Sequence, residues 1–344
     1  MDATQMKLFS FRSANCPFGD MLEEDDDNCF STNKDSEYEV ISENHPDFAG
    51  WLADIRGVGF ADVTSRPVPF FDLPPFMPTI RHGSKGLLKS FNPEYIAVSL
   101  GDVISHKKLI TAKDIRQRFG VDKYTKIVLL NYAEDALIER IWTIRKDIFS
   151  QLAKLDFDLV TSINYSIWFS QPHAERLINM KRSLITFEEL QKLGIPTLPH
   201  IYWTGKTDLK RWANWLNSNA EVWCVAVNLQ TERDSRSGRW DQALSDLRYL
   251  VSLLDRDIHF FISGASTLER CLQLKEAFPK LTITNGFCAR QAACGFLLSE
   301  ELGKLKFEHS NTIPKNDILK INTNFYTELM NSEKASSIPF ASYK

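Results

Sequence analysis

Hydrophobic residues along this chain gather into short runs, each ending in a small or polar residue and each followed by a stretch of helical periodicity. The runs occupy residues 96–102, 127–132, 159–166, 197–203, 222–230, 258–264 and 281–286. A repeat of roughly thirty residues is the length of a strand plus its crossover helix. The alternation predicts an α/β fold with a parallel sheet covered by helices.

The intervening stretches carry the matching helical signal. Between residues 134 and 155, Leu137, Ile141, Ile144, Ile148 and Leu152 recur every three or four positions, one apolar stripe for a sheet. Further helices are expected at 174–193, 207–218, 240–254, 266–277 and 288–301, with Gly194, Pro279 and Gly303 as stop signals. A shorter helix over 111–119 starts at Thr111, has Asp114 three residues on, and ends at Gly120. Residues 305–307 make a candidate eighth strand, with which the sheet closes as a parallel (β/α)8-type barrel; without it the barrel is incomplete.

Outside this repeat the pattern changes. Residues 1–60 hold an acidic run at 23–27 and read as an irregular N-terminal extension, with one short amphipathic helix expected within 48–60. Residues 61–92 form a connector in which prolines and phenylalanines interleave. Its backbone must be extended while its rings need burial, so it is expected to wrap the domain and plug an open end. The repeat domain spans 93–308, and 309–344 reads as a peripheral tail.

Composition narrows the function classes. The formal charge of the 344 residues is -3, which gives no global attraction to nucleic acid or an anionic membrane, so any polyanion contact has to be local. No run approaches a membrane span and the first residues lack a leader pattern, which leads us to expect a cytoplasmic protein. Cys16, Cys29, Cys224, Cys271, Cys288 and Cys294 form no CxxC pair; they read as reduced thiols, and no metal site is expected. No cofactor is indicated.

Chemistry in parallel α/β folds sits where the strands end. Read in order, those ends offer Asp102, Asn131, Asn164 with Ser166, His200 with Tyr202 and Trp203, Asn228 with Gln230, Ser263 and Asn285. Asp102 and His200 are the catalytic candidates, one a carboxylate able to act as acid, base or nucleophile, the other a group whose ordinary pKa suits proton transfer. Helix capping is the competing role for Asp102 and the asparagines, and a hydrogen-bonded core position for His200. In 222–230 the smaller set Cys224, Ala226, Asn228 and Gln230 suits a crowded interior, and Trp223, Val225, Val227 and Leu229 suit the layer under the helices. Arg233, in a loop rich in Arg, Ser and Gly, and Ser263, ahead of a helix, suggest a phosphate contact.

The segments FDLVTSINYSIW (157–168) and INMKRSLITFEELQKLGIPTLPHIYW (178–203) resemble an uncharacterised domain family of bacterial and phage proteins, matched over about residues 156–203. The resemblance implies a mobile-element origin and draws attention to Ser166, Asn179, Arg182 and Trp203, without implying a reaction. Asn164 stands where that family carries an aspartate, which argues against carboxylate chemistry at this turn. A structural salt bridge is the plainer role for Arg182, pairing with a ligand anion the sharper one.

Together these readings suggest a barrel enzyme that binds a phosphorylated or nucleotide-like ligand at the strand ends. One alternative is a non-catalytic binding protein of a mobile element or phage. Another is transglycosylase-like base exchange on nucleic acid, for which Asp102, Asn228, Gln230 and Trp203 supply the residue types.

Overall fold

The computed structural model describes residues 48–89, 91–104, 114–167, 173–230 and 239–332. It is a mixed α/β fold with two four-stranded parallel sheets. One sheet has the order β2 (Tyr95–Ser99), β3 (Lys126–Leu130), β4 (Leu159–Thr161), β5 (Thr197–Leu198). The other runs β1 (Phe76–Pro78), β8 (Leu281–Asn285), β7 (His259–Ser263), β6 (Cys224–Asn228). Each hydrophobic run of the repeat contributes one strand, shorter than the run itself. At both ends the sheets touch through single parallel bridges, Thr79 with Ala97 and His200 with Ala226. Ile80 N donates to Ala97 O at 2.8 Å and Ile201 N to Ala226 O at 2.9 Å.

β1 lies inside the proline-rich connector. Its register with β8 is Phe76 to Ile283, Met77 to Thr284 and Pro78 to Asn285. Pro78 closes the strand, where the missing N–H costs no ladder bond. Residues 305–307, expected as the eighth parallel strand, instead belong to an antiparallel hairpin of β9 (Phe296–Glu301) and β10 (Lys304–His309). Two features explain the difference. Gly295, at φ +84°, ends the helix expected over 288–301 after Phe287–Ala293, and Leu302 and Gly303, at φ +52° and +75°, form the two-residue turn that joins antiparallel strands.

The helices are α1 (Phe48–Asp54), α2 (Leu100–Val103), α3 (Ile115–Phe119), α4 (Asp135–Leu152), α5 (His173–Lys192), α6 (Lys206–Ser218), α7 (Arg239–Ser252), α8 (Leu268–Ala277), α9 (Phe287–Ala293) and α10 (Lys315–Asn331). A 3₁₀ turn covers His82–Leu88. The cap of α3 is Asp114, whose carboxylate accepts from Arg116 N at 2.8 Å and Gln117 N at 3.2 Å; Thr111 lies outside the described residues.

Strand side chains alternate between two cores. Met77, Ala97, Val128, Leu159, Leu198, Ala226 and Phe261 take one residue from each of β1 to β7 into an inner cluster. Ile127, Leu129, Val160, Val225, Val227, Phe260, Ile262 and Ile283 face the helices in the larger one. Cys224 and Ala226 are therefore inward, and Val225 and Val227 outward, as their sizes predict. Leu73, Val68 and Phe71 of the connector pack on the inner cluster from the side where the strands begin, next to Tyr95 and Trp223.

Helix α5 is buried on nearly every face, polar residues included. The segment after α1 covers it and supplies partners. Arg56 pairs with Glu188 at 3.0 Å, Lys181 bonds Asp62 and the Gly59 carbonyl, and Gln191 accepts from Arg66 N at 2.9 Å. Ile55, Val58, Phe60 and Val63 of the same segment enter the main core. No helix among the described residues is long and apolar enough to cross a membrane.

Candidate functional site

His200 follows β5, with its backbone bridged to the inward-facing Ala226 and its N–H donating to Ser162 Oγ at 2.8 Å. Ser162 Oγ in turn meets Ser183 Oγ at 2.9 Å, so β4, β5 and α5 are tied together by hydroxyls. The imidazole is fully buried between two phenol rings, Tyr132 edge-on at 5.2 Å and Tyr202 tilted at 5.4 Å. Among the described residues neither Nδ1 nor Nε2 has a hydrogen-bond partner. Burial pushes the imidazole pKa down to about 3, so His200 is neutral at physiological pH and offers one unused donor and one unused acceptor.

Two residues at the end of β3 also carry buried atoms without an aligned partner. Asn131 is buried at the end of β3; its N–H donates to Thr161 Oγ1 at 2.9 Å and its side-chain amide to the Thr161 carbonyl, while Oδ1 has no partner. The Tyr132 hydroxyl is buried without an aligned partner. Burial raises its pKa, and the Ser263 hydroxyl beside it offsets part of that rise. Ser263 Oγ contacts the Val227 carbonyl at 3.3 Å and Asn228 Oδ1 at 3.2 Å, and Asn228 Oδ1 also accepts from Gln230 N at 3.0 Å. The approach of β7 to β6 here is close. A Cβ on Gly264, at φ +105°, would stand 2.5 Å from Gln230 N.

On the far side of Tyr202 the network continues. Its hydroxyl donates to Asn179 O at 2.7 Å, and the Asn179 amide donates to Ser166 O at 2.8 Å. Arg182 Nη1 bonds Asn179 Oδ1 and Glu139 Oε1, each at 3.0 Å, and Nη2 bonds Glu139 Oε2 at 2.6 Å. Burial raises the pKa of Glu139, with Arg182 acting against the rise. Glu175, one turn before Asn179, is buried and has no hydrogen bond or ion pair among the described residues; burial pushes its carboxyl up to about 7.

Of the residues picked from the sequence, His200, Tyr202, Arg182, Ser166, Asn228, Ser263 and the Gln230 backbone thus join one continuous set of contacts, and Asn164 touches it by donating its N–H to Asn131 O at 3.3 Å. Three others face elsewhere. Asp102 lies on the helical turn α2 beyond the end of β2, 2.8 Å from Arg81 Nε, with no donor aligned on that carboxylate oxygen. Trp203 Nε1 donates to Asp246 on α7 at 2.8 Å. Asn285 accepts from Phe287 N at 3.0 Å and donates to Ala265 O at 2.7 Å, the local turn-and-cap role that competes with ligand binding. Arg233 lies outside the described residues.

Tyr132, Ser162, Ser183 and Glu175 were not singled out from the sequence. Tyr132 ends a hydrophobic run and offered some signal; the two serines and Glu175 follow no period that marks them. Among the described residues no group of three His, Cys, Asp or Glu side chains is placed to hold a metal ion. Compared with known proteins, the chain matches no family model and no curated protein.

Proposed function

We propose that the two parallel sheets close into a (β/α)8-type barrel and that the protein binds a small phosphorylated or nucleotide-like ligand at the strand C-terminal ends. One observation carries this reading: His200 and Tyr132, their rings 5.2 Å apart, bring three buried polar atoms without an aligned partner into one neighbourhood. Unpaired buried polar groups cost about 1–3 kcal/mol each and are concentrated where a ligand or ordered water completes them. A heterocycle edge carries the matching donors and acceptors, and the two phenol rings suit its flat faces. The two single-residue bridges and the inner cluster support closure.

The test is calorimetric titration of the full chain with nucleosides and nucleoside monophosphates. Binding by at least one, lost in His200→Leu with native circular dichroism retained, is the expected result. No binding by any of them removes the reading.

A second reading, a binding protein without catalysis, is favoured by the state of the two proton-transfer candidates. His200 is held neutral by burial, and Asp102 is engaged with Arg81. Recovery of a bound monophosphate chemically unchanged after prolonged incubation supports this reading; turnover excludes it.

A further inference from the structure

Asp102 organises a cluster of positive charge. It lies just past the end of β2, and Arg81 lies just past the end of β1, so the pair is on the same end of the sheets as His200. Arg81 approaches the Asp102 carboxylate through Nε at 2.8 Å, with its side chain 66% exposed. Arg118, on α3, donates to the Asp102 carbonyl through Nε at 3.0 Å and Nη2 at 2.6 Å. One residue therefore holds two guanidinium groups, by side chain and by backbone, and neither is forked onto a carboxylate. Arg182 and Arg116, by contrast, have both Nη atoms engaged with acidic residues.

His82 reports what surrounds it. Desolvation lowers its pKa first, and the charges of Arg118 and Lys85 lower it further, against a rise from Asp102. Among the described residues, Arg81 and Arg118 thus contact Asp102, and Lys85 adds its charge at the neighbouring His82, in a chain whose formal charge is -3. Arg81 and Lys85 are exposed. The turn leaves space: a Cβ built on Gly83, between them, or on Gly86, just after Lys85, meets nothing within 4 Å.

We propose that Arg81, Lys85 and Arg118, positioned by Asp102, form the subsite for the phosphate of the ligand. This rests on the ligand reading above and gives Asp102 a positioning role in place of proton transfer. Guanidinium forks match phosphate oxygens in geometry and keep their charge at any relevant pH, and a lysine adds a mobile point charge. Among the described residues the patch sits where β1 and β2 end, a place for one small phosphate group.

Titration of the full chain with inorganic pyrophosphate tests the subsite. Binding should weaken as salt is raised. Arg81→Ala and Lys85→Ala should each weaken it by about tenfold or more, and Lys85 is exposed enough that its loss leaves folding intact. Asp102→Asn removes the ion pair that positions Arg81 and should weaken binding as well. Equal affinity in the parent, Arg81→Ala and Lys85→Ala proteins overturns the proposal, as does absence of pyrophosphate binding by the parent. Unchanged or tighter binding by a folded Asp102→Asn protein does so too. If a single-stranded oligoribonucleotide binds more tightly than pyrophosphate through the same residues, the cluster belongs to a nucleic-acid surface and the small-ligand proposal falls. If pyrophosphate binds as described while no nucleoside monophosphate does, the subsite stands and the ligand reading alone fails.

Discussion

Arg182 of α5 holds Glu139 of α4 in a two-pronged contact, Nη1 to Oε1 at 3.0 Å and Nη2 to Oε2 at 2.6 Å, while its guanidinium carbon lies 3.9 Å from the centre of the Tyr165 ring. Arg182 is fully buried, so removal of either partner leaves a charge in a medium that solvates it poorly. Arg182→Ala and Glu139→Ala are each expected to cost about 3–5 kcal/mol, read by urea unfolding. Arg182→Lys should restore little of it, because an ammonium cannot fork onto the carboxylate and lie over the ring together. A loss under about 1 kcal/mol in both alanine variants would show a pair that contributes nothing net.

Replacement of His200 separates binding from packing. Leucine has nearly the same volume and no polar atom to leave unpaired, so His200→Leu should unfold at a higher temperature than the parent while losing the ligand. The expected gain is about 1–3 kcal/mol, the cost of the unpaired group. A lower melting temperature would mean that the imidazole is satisfied in solution and that the site is a core contact.

Glu175 predicts a pH dependence with a definite sign. Its folded-state pKa, pushed up to about 7 by burial, lies above the ordinary value of 4.5, so the folded protein holds the proton more tightly than the unfolded chain. The group therefore costs nothing below about pH 4.5 and progressively destabilises the fold as pH rises through 7, by on the order of 3 kcal/mol when fully ionised. Glu175→Gln should flatten this part of the stability profile and exceed the parent at pH 8. Parallel profiles for the two proteins between pH 5 and 8 would refute the assignment.

The hairpin offers a stabilising change. Leu302 is 92% exposed and adopts φ +52°, a conformation that costs an ordinary side chain roughly 1–2 kcal/mol and asparagine less. Leu302→Asn should raise the unfolding free energy by about 0.5–1 kcal/mol without touching any residue of the site. An unchanged or reduced value would place the origin of the turn elsewhere.

Most of the parallel framework was legible because burial of both strand faces makes continuous apolar runs, and because Cys224 and Ala226 differ so plainly in bulk from their outward neighbours. β1 escaped notice for the opposite reason: three residues containing a proline carry no periodicity. Residues 305–307 misled by position alone, following a helix as a parallel strand should; Gly303 suits a hairpin turn, but Leu302 beside it masks the signal that Asn-Gly or Asp-Gly would give. In the site, the inward direction of His200 depends on its pairing with Ala226, two elements away in function of the sequence but adjacent in space. The environment of Glu175 likewise exists only once helices and strands have assembled, and no local pattern encodes it.

The pairing of β1 with β8 joins residues 76–78 to residues 283–285. During synthesis the earliest parallel strand leaves the ribosome long before its partner exists, and loop closure over that distance is slow. Until then Phe76, which pairs with Ile283 and stacks on Tyr326 in the finished fold, lacks both partners, an invitation to chaperones or to self-association. A chain interrupted between residues 264 and 280 would hold every other strand of the two sheets and leave β1 and β7 without their shared neighbour, two unpaired strand edges created by the loss of one late strand.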